Sequence, residues 1–236
     1  LLKKLSYSHY QELSSLLLEG ASGQKIRSEL FADAVLFIET KKCGSYFSSL
    51  DCHVLAVTTK DFVKETYHHW FPNAFDDSLI GKRDVGKKHE IGFCGNYVNR
   101  KQLLEMLRDK HGLHLDIFVI GESMVNAINS YKCHFNMNIA NDINYRSFET
   151  IGCGTLLLTN KNDQYSELGF VDGKNCLIYD SFENLVEKIN FIKNNDVSEI
   201  ANFGYELSKN HSYDKRVEFL LNNFGDGDES ISSWSL

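Results

Sequence analysis

A chain of 236 residues, 42% of them hydrophobic and 12% aromatic, can bury the core of one large or two small domains. A formal charge of −7 argues against a broad face that grips a nucleic-acid backbone, though it leaves room for a local basic pocket. No apolar run approaches the roughly 18 residues of a membrane span, nothing reads as a signal peptide, and a cytoplasmic location is expected.

The six cysteines, at 43, 52, 94, 133, 153 and 176, stand in apolar or strand-like contexts and make no C-x-x-C pair. They read as reduced buried thiols rather than a disulfide or zinc framework. The histidines form no H-E-x-x-H, and the adjacent His68 and His69 diverge in a helix, so no metal site is expected.

Residues 1–30 carry Tyr10, Leu13, Leu16 and Leu17 at helical spacing, and the stretch from Gly20 to Gly23 ends that pattern. Ala34–Glu39 and His53–Thr58 are short, apolar and β-branched, as buried parallel strands are. Thr59–His69 is predicted as a helix ending at the Trp70-Phe71-Pro72 break, and Ser78–Lys88 as a polar interdomain linker.

The second half alternates regularly. Strand Glu90–Gly95 leads through a loop into an amphipathic helix, Lys101–Lys110, with Leu103, Leu104 and Leu107 inward. Strand Leu115–Ile120 and helix Glu122–Ser130 follow, the latter with Asn126 and Asn129 solvated. Then come strand Lys132–Asn138, helix Asn144–Gly152 and strand Thr155–Thr159. A short helix at Asp163–Leu168, strand Asn175–Tyr179 and helices Phe182–Lys193, Val197–Ser208 and His211–Asn223 complete the pattern. The fold class expected is α/β with parallel sheets and right-handed crossovers. The expected domains are 1–85, 86–223 and a loose polar tail, 224–236.

Two places carry chemistry. A strand–Gly95–Asn96 loop–helix opening presents amides and a helix N-terminus to an anion, although no full G-x-G-x-x-G is present, which argues against a dinucleotide-binding oxidoreductase. Arg100 and Lys101 at that helix start oppose the macrodipole, which favours a bound anion over mere solvation. Arg146 and Glu149 stand three residues apart on one face of a short helix, at the carboxyl end of a buried strand. Read alone, they are equally well a surface ion pair.

The segment Arg146-Ser-Phe-Glu149-Thr, then Gly152-Cys-Gly154 and an apolar strand, resembles the donor half of GT-B glycosyltransferases, and most of all the CgeB-like (spore maturation protein-like) group. The likeness continues through Tyr165-Ser-Glu167-Leu168, Asp172-Gly173, Tyr179 and His211-Ser-Tyr213, from about Glu90 to Leu221. It implies a GT-B-like fold of two Rossmann-like domains, the first of them shortened, because the glycine-rich βα unit that usually opens such enzymes is missing. The shortening would be natural or the result of trimming.

The resemblance further implies a glycosyltransferase of hexosyltransferase type. Its donor would be a nucleotide sugar, with UDP favoured. Its acceptor, a polysaccharide, a protein or a modified nucleic-acid base, is unidentified. Arg100 and Lys101 would face the diphosphate with Gly95 and Asn96. Glu149 would accept the ribose hydroxyls, and Arg146 would neutralise charge on the leaving diphosphate as the catalytic cation. Asn138 and Tyr145 would line the cleft, and Gly154 would allow close packing at the turn. Such enzymes characteristically use protein cations rather than a metal, and no other cofactor is expected.

The sequence departs from the pattern at one point. Where many retaining members carry the first of two glutamates, Asn141 stands, followed by Asp142. His9, His53, His68 and Asp76 are general-base candidates without a basis for choice. The alternative is a non-catalytic nucleotide-sugar-binding module that supports a partner subunit.

Overall fold

The computed structural model describes residues 36–38, 55–57, 60, 68–139 and 141–224. The chain divides into two compact units, one of residues 1–58 and 62–70 and one of residues 59–61 and 71–236. In the first unit, strands β1 (Leu36–Ile38), β2 (Leu55–Val57) and β3 (His68–Trp70) pair in parallel in the order β1-β2-β3. The first two fall inside the apolar runs that predicted them. The third replaces the end of the expected Thr59–His69 helix. His68 and His69 still diverge there, because neighbours on a strand point to opposite faces. Residues 1–30 and the tail from 225 lie outside the described residues, as do His9 and His53.

The second unit is a five-stranded parallel sheet. Its elements run β4 (His89–Gly95), α1 (Lys101–His111), β5 (His114–Ile117), α2 (Gly121–Ser130), β6 (Tyr131–Asn136), α3 (Tyr145–Gly152), β7 (Leu156–Asn160), α4 (Gln164–Glu167), β8 (Leu177–Tyr179), α5 (Phe182–Asn194), α6 (Ser198–Ser208) and α7 (Tyr213–Phe224). The strand order is β5-β4-β6-β7-β8. Helices therefore begin and strands end within a few residues of the positions read from periodicity.

One face of the sheet is apolar. Ile91, Phe93, Cys133, Phe135, Leu156, Leu158, Leu177 and Tyr179 meet Leu104 and Leu107 of α1 and Leu185, Ile189 and Ile192 of α5. The spacings of three and four in those helices put the apolar groups on one stripe. The other face is polar towards its carboxyl half, where His134, Asn136 and Thr159 are buried against α3 and α4.

Residues 78–88 belong to this unit rather than linking two. Ile80 is buried, and Asn129 of α2 accepts from the Arg83 amide at 2.8 Å and donates to Gly81 O at 3.0 Å. Asn129 is thus a buried tie, against the expectation of a solvated side chain. At the far end, the guanidinium of the fully buried Arg216 on α7 donates to Pro72 O, Asn73 O and Asn210 O. The four described cysteines, Cys94, Cys133, Cys153 and Cys176, are buried and unpaired, and burial pushes the Cys153 thiol up to about 12. Among the described residues, no helix is long and apolar enough to cross a membrane, and no three acidic, His or Cys groups are set to hold a metal ion.

Candidate functional site

The order of appearance reverses between β4 and β6, since β5 lies on one side of β4 and all later strands on the other. A reversal of this kind, at the carboxyl ends of the two strands, is the place where open α/β sheets bind ligands. Their last register pair is Gly92↔His134. Beyond it the Cys94 amide donates to His134 Nε2 at 3.1 Å instead of continuing the ladder. The imidazole proton is then on Nδ1, 2.7 Å from Thr150 Oγ1, and Thr150 in turn donates to the Arg146 carbonyl at 2.6 Å. A buried histidine therefore ties the end of β4 to the first turn of α3.

Helix α3 follows β6 at this reversal point. Its inner face buries Ser147, Phe148, Thr150 and Ile151, which leaves Arg146 and Glu149 together on the outer face. Arg146 Nη1 lies 2.7 Å from Glu149 Oε2, with side-chain exposures of 13% and 14%. This is not the well-hydrated surface pair that the local pattern allowed. The same guanidinium touches Met124 Sδ of α2 and lies 5.8 Å from the ring of Tyr145, which is half exposed. Glu149 Oε2 is buried with no hydrogen-bond donor aligned on it, so the contact with Arg146 is one of charge rather than of hydrogen-bond geometry. Burial raises the Glu149 pKa, and the Arg146 charge opposes that rise.

The two basic residues after Gly95 part company. Arg100 is half-buried, and its guanidinium donates to Met137 O at 2.7 and 3.0 Å and to Asn96 O at 2.9 Å. It clamps the loop after β4 to the end of β6. Burial lowers its pKa, Tyr145 opposes this, and the Arg146 charge adds to it, so the two guanidinium groups feel one another. Lys101 is 57% exposed and pairs with Glu105 at 4.0 Å along the outer surface of α1. Of the two basic residues, only Arg100 thus feels the charge of Arg146, while Lys101 is paired along α1. Gly95 closes β4, and its carbonyl accepts from the Phe118 amide at 3.3 Å. Asn96 is exposed and turns the chain by accepting from the Val98 amide at 3.0 Å.

Two other expectations give way to structural roles. Asn138 does not line a cleft. It is 4% exposed, its side chain accepts from the Asn144 amide at 3.1 Å and it donates to Tyr165 OH at 3.0 Å. Gly154 has φ +67° and follows α3 as its stop. The Gly154 amide bonds to Ile151 O at 2.9 Å and the Thr155 amide to Thr150 O at 3.2 Å, the pair of bonds that closes a helix on a left-handed glycine. Asp76, among the general-base candidates, accepts from both the amide and the hydroxyl of Ser78 in a turn.

Sequence reasoning missed a buried polar network beneath α3. The Tyr165 hydroxyl meets Ser147 Oγ at 2.8 Å and Thr159 Oγ1 at 2.9 Å as well as Asn138, while Asn136 and Asn144 exchange side-chain hydrogen bonds at 3.1 and 3.3 Å. The network fixes the loop between β6 and α3, and so the position of Arg146 and Glu149. The available signal was the run of asparagines at 136, 138, 141 and 144, too dense for a solvated loop between two buried elements.

The fold has counterparts among solved structures. The sucrose-phosphate synthase of Thermosynechococcus elongatus superposes with a TM-score of 0.60 at 8% identity, over 86% of this chain and 70% of that one. The pneumococcal O-GlcNAc transferase GtfA in complex with UDP and GlcNAc gives 0.58 at 11%, over 84% and 49%. HepE of Anabaena in complex with UDP and glucose gives 0.59 at 12%, over 74% and 63%. The chain thus spans about half to two thirds of the length of the latter two. Likenesses at this identity establish the α/β, GT-B-like fold. No curated protein matches the chain. Residues 99–222, more than half of its length, match the profile of the family described as glycosyl transferase-like, and the chain belongs to that family.

Proposed function

We propose that the chain binds a nucleotide-sugar donor, UDP-linked by preference, in the crevice between β4 and β6 and transfers its sugar to an acceptor. The observation that carries this reading is the pair Arg146–Glu149 at the strand-order reversal: a guanidinium and a buried carboxylate oxygen that lacks an aligned donor stand side by side, the two kinds of group that suit a diphosphate and a ribose diol. Arg100 adds positive potential from the opposite wall without a free fork of its own. Arg146 is the group suited to stabilise charge on the leaving diphosphate, by preorganised electrostatics rather than by proton transfer. Two similar structures, one in complex with UDP and GlcNAc and one with UDP and glucose, support a UDP-hexose as the donor to try first. The CgeB-like group, the metal-independent mechanism and a first domain serving the acceptor belong to the same proposal.

Calorimetry with UDP, UDP-glucose and UDP-N-acetylglucosamine tests it, the expected outcome being saturable binding of UDP and at least one UDP-sugar. Failure to bind any nucleotide sugar would remove the reading. Binding without transfer or hydrolysis across an acceptor panel would favour the non-catalytic module instead.

A further inference from the structure

Arg146 and Glu149 lie closer, and are more deeply buried, than two recognition groups waiting for ligand need to be. Their charged atoms are 2.7 Å apart, both side chains are more than four-fifths covered, and Glu149 Oε2 has no hydrogen-bond donor aligned on it. The remaining contacts of the guanidinium are the Met124 sulfur, a weak acceptor, and the Tyr145 ring. Each charge is therefore held by the other. Removing one partner of such a pair is costly because the other stays buried and uncompensated.

We propose that this pair is a mutual lock, opened efficiently only by a ligand that presents an anion to Arg146 and a hydroxyl pair to Glu149 at once. The lock rests on the nucleotide-sugar reading above and makes that site select intact nucleoside diphosphates over their parts. Pyrophosphate alone takes Arg146 and strands the Glu149 carboxylate. Uridine alone takes Glu149 and strands the guanidinium. UDP replaces both halves of the pair in one event, so its affinity exceeds what the parts add up to. The i, i+3 placement on one short helix is what makes the lock intramolecular: the two groups cannot separate by helix movement, only by exchange of partners.

The test titrates wild-type protein with pyrophosphate, uridine and UDP, and with uridine in saturating pyrophosphate. The expected result is that pyrophosphate tightens uridine binding roughly fivefold or more, the lower range of energetic coupling between sites. In Glu149→Gln, Arg146 is released, so pyrophosphate should bind roughly tenfold tighter than to wild type while UDP binds more weakly and the coupling disappears. Additive binding of uridine and pyrophosphate to a wild-type protein that does bind UDP would overturn the lock alone. Absence of UDP binding would overturn UDP as the donor nucleotide and the lock with it, while the broader nucleotide-sugar reading would fall only if no nucleotide sugar binds. Should Glu149→Gln not fold, the wild-type coupling decides by itself. Should it fold with pyrophosphate affinity unchanged, the lock is wrong.

Discussion

A left-handed backbone at Gly154 ends α3 and turns the chain into β7 within two residues. A side chain there would meet strain from φ +67°, and an added Cβ would come within 2.4 Å of Lys82 Cε. The lysine stem can swing away, but the backbone cannot change sign without losing the two bonds that close the helix. Gly154→Ala should therefore destabilise the protein by about 1–2 kcal/mol, the cost of a left-handed residue with a Cβ. Because the strain sits at the far end of α3 from Arg146, UDP affinity in the folded variant should stay within about twofold of wild type, a change below ~0.4 kcal/mol. Thermal melts and calorimetry on the same sample read the two effects. Lost affinity at unchanged stability would return Gly154 to the binding site. Residue identity announced a turn here, and it is the hydrogen bonds of the neighbours that say which kind.

At the scale of elements, the contrast between Arg100 and Lys101 decides what the opening of α1 does. Arg100 spans from the loop after β4 to Met137 at the end of β6, using three of its nitrogens on two carbonyls. Lysine cannot make that fork. Arg100→Ala should loosen both walls of the crevice and weaken UDP roughly tenfold, as loss of charge-assisted hydrogen bonds that hold a site in shape. Lys101→Ala should change it less than about twofold, because that ammonium is exposed and already paired. Equal losses from the two variants would mean that a helix-start charge, not a clamp, is at work. Much of the second unit was legible beforehand because its strands are apolar runs of five or so residues and its helices carry clean stripes. What was not legible depends on partners distant in sequence. The rotamer of Arg100 is set by a carbonyl 37 residues away, and Asn138 is buried by Tyr165, 27 residues on. His68-His69-Trp70 pairs as a strand only because β2 lies beside it. The Arg146–Glu149 pair was visible from spacing alone, but its depth of burial was not.

At the scale of the whole molecule, two buried histidines among the described residues, His134 and His211, are held towards the neutral form, and this predicts how stability depends on pH. His134 is fully buried, with Nε2 accepting from the Cys94 amide, so a second ring proton would face a donor. His211 accepts from Arg216 at Nδ1, 2.8 Å away, and donates from Nε2 to Leu168 O at 2.9 Å. Burial, and then the Arg216 charge, lowers its pKa to about 3, while burial, with the Arg146 charge, holds His134 well below its ordinary value. In the unfolded chain both titrate near 6.5. Between the folded and unfolded values the unfolded chain binds more protons, so stability is complete above about pH 6.5 and is lost as the pH falls. By pH 5 each histidine should have removed roughly 2 kcal/mol, before most carboxylates begin to titrate. Glu149, whose pKa is raised, works in the opposite sense nearer the carboxylate range. His211→Gln isolates the effect, since a glutamine amide can accept from Arg216 and donate to Leu168 without a titratable ring. The variant should lose some stability at pH 7.5 yet show a shallower decline from pH 6.5 to 5, by close to one proton in the slope of unfolding free energy from urea titrations. A slope identical to wild type would mean that His211 takes up its proton in the folded protein, and that the Arg216–His211 contact is not what holds α7 against the segment at Pro72 and Asn73.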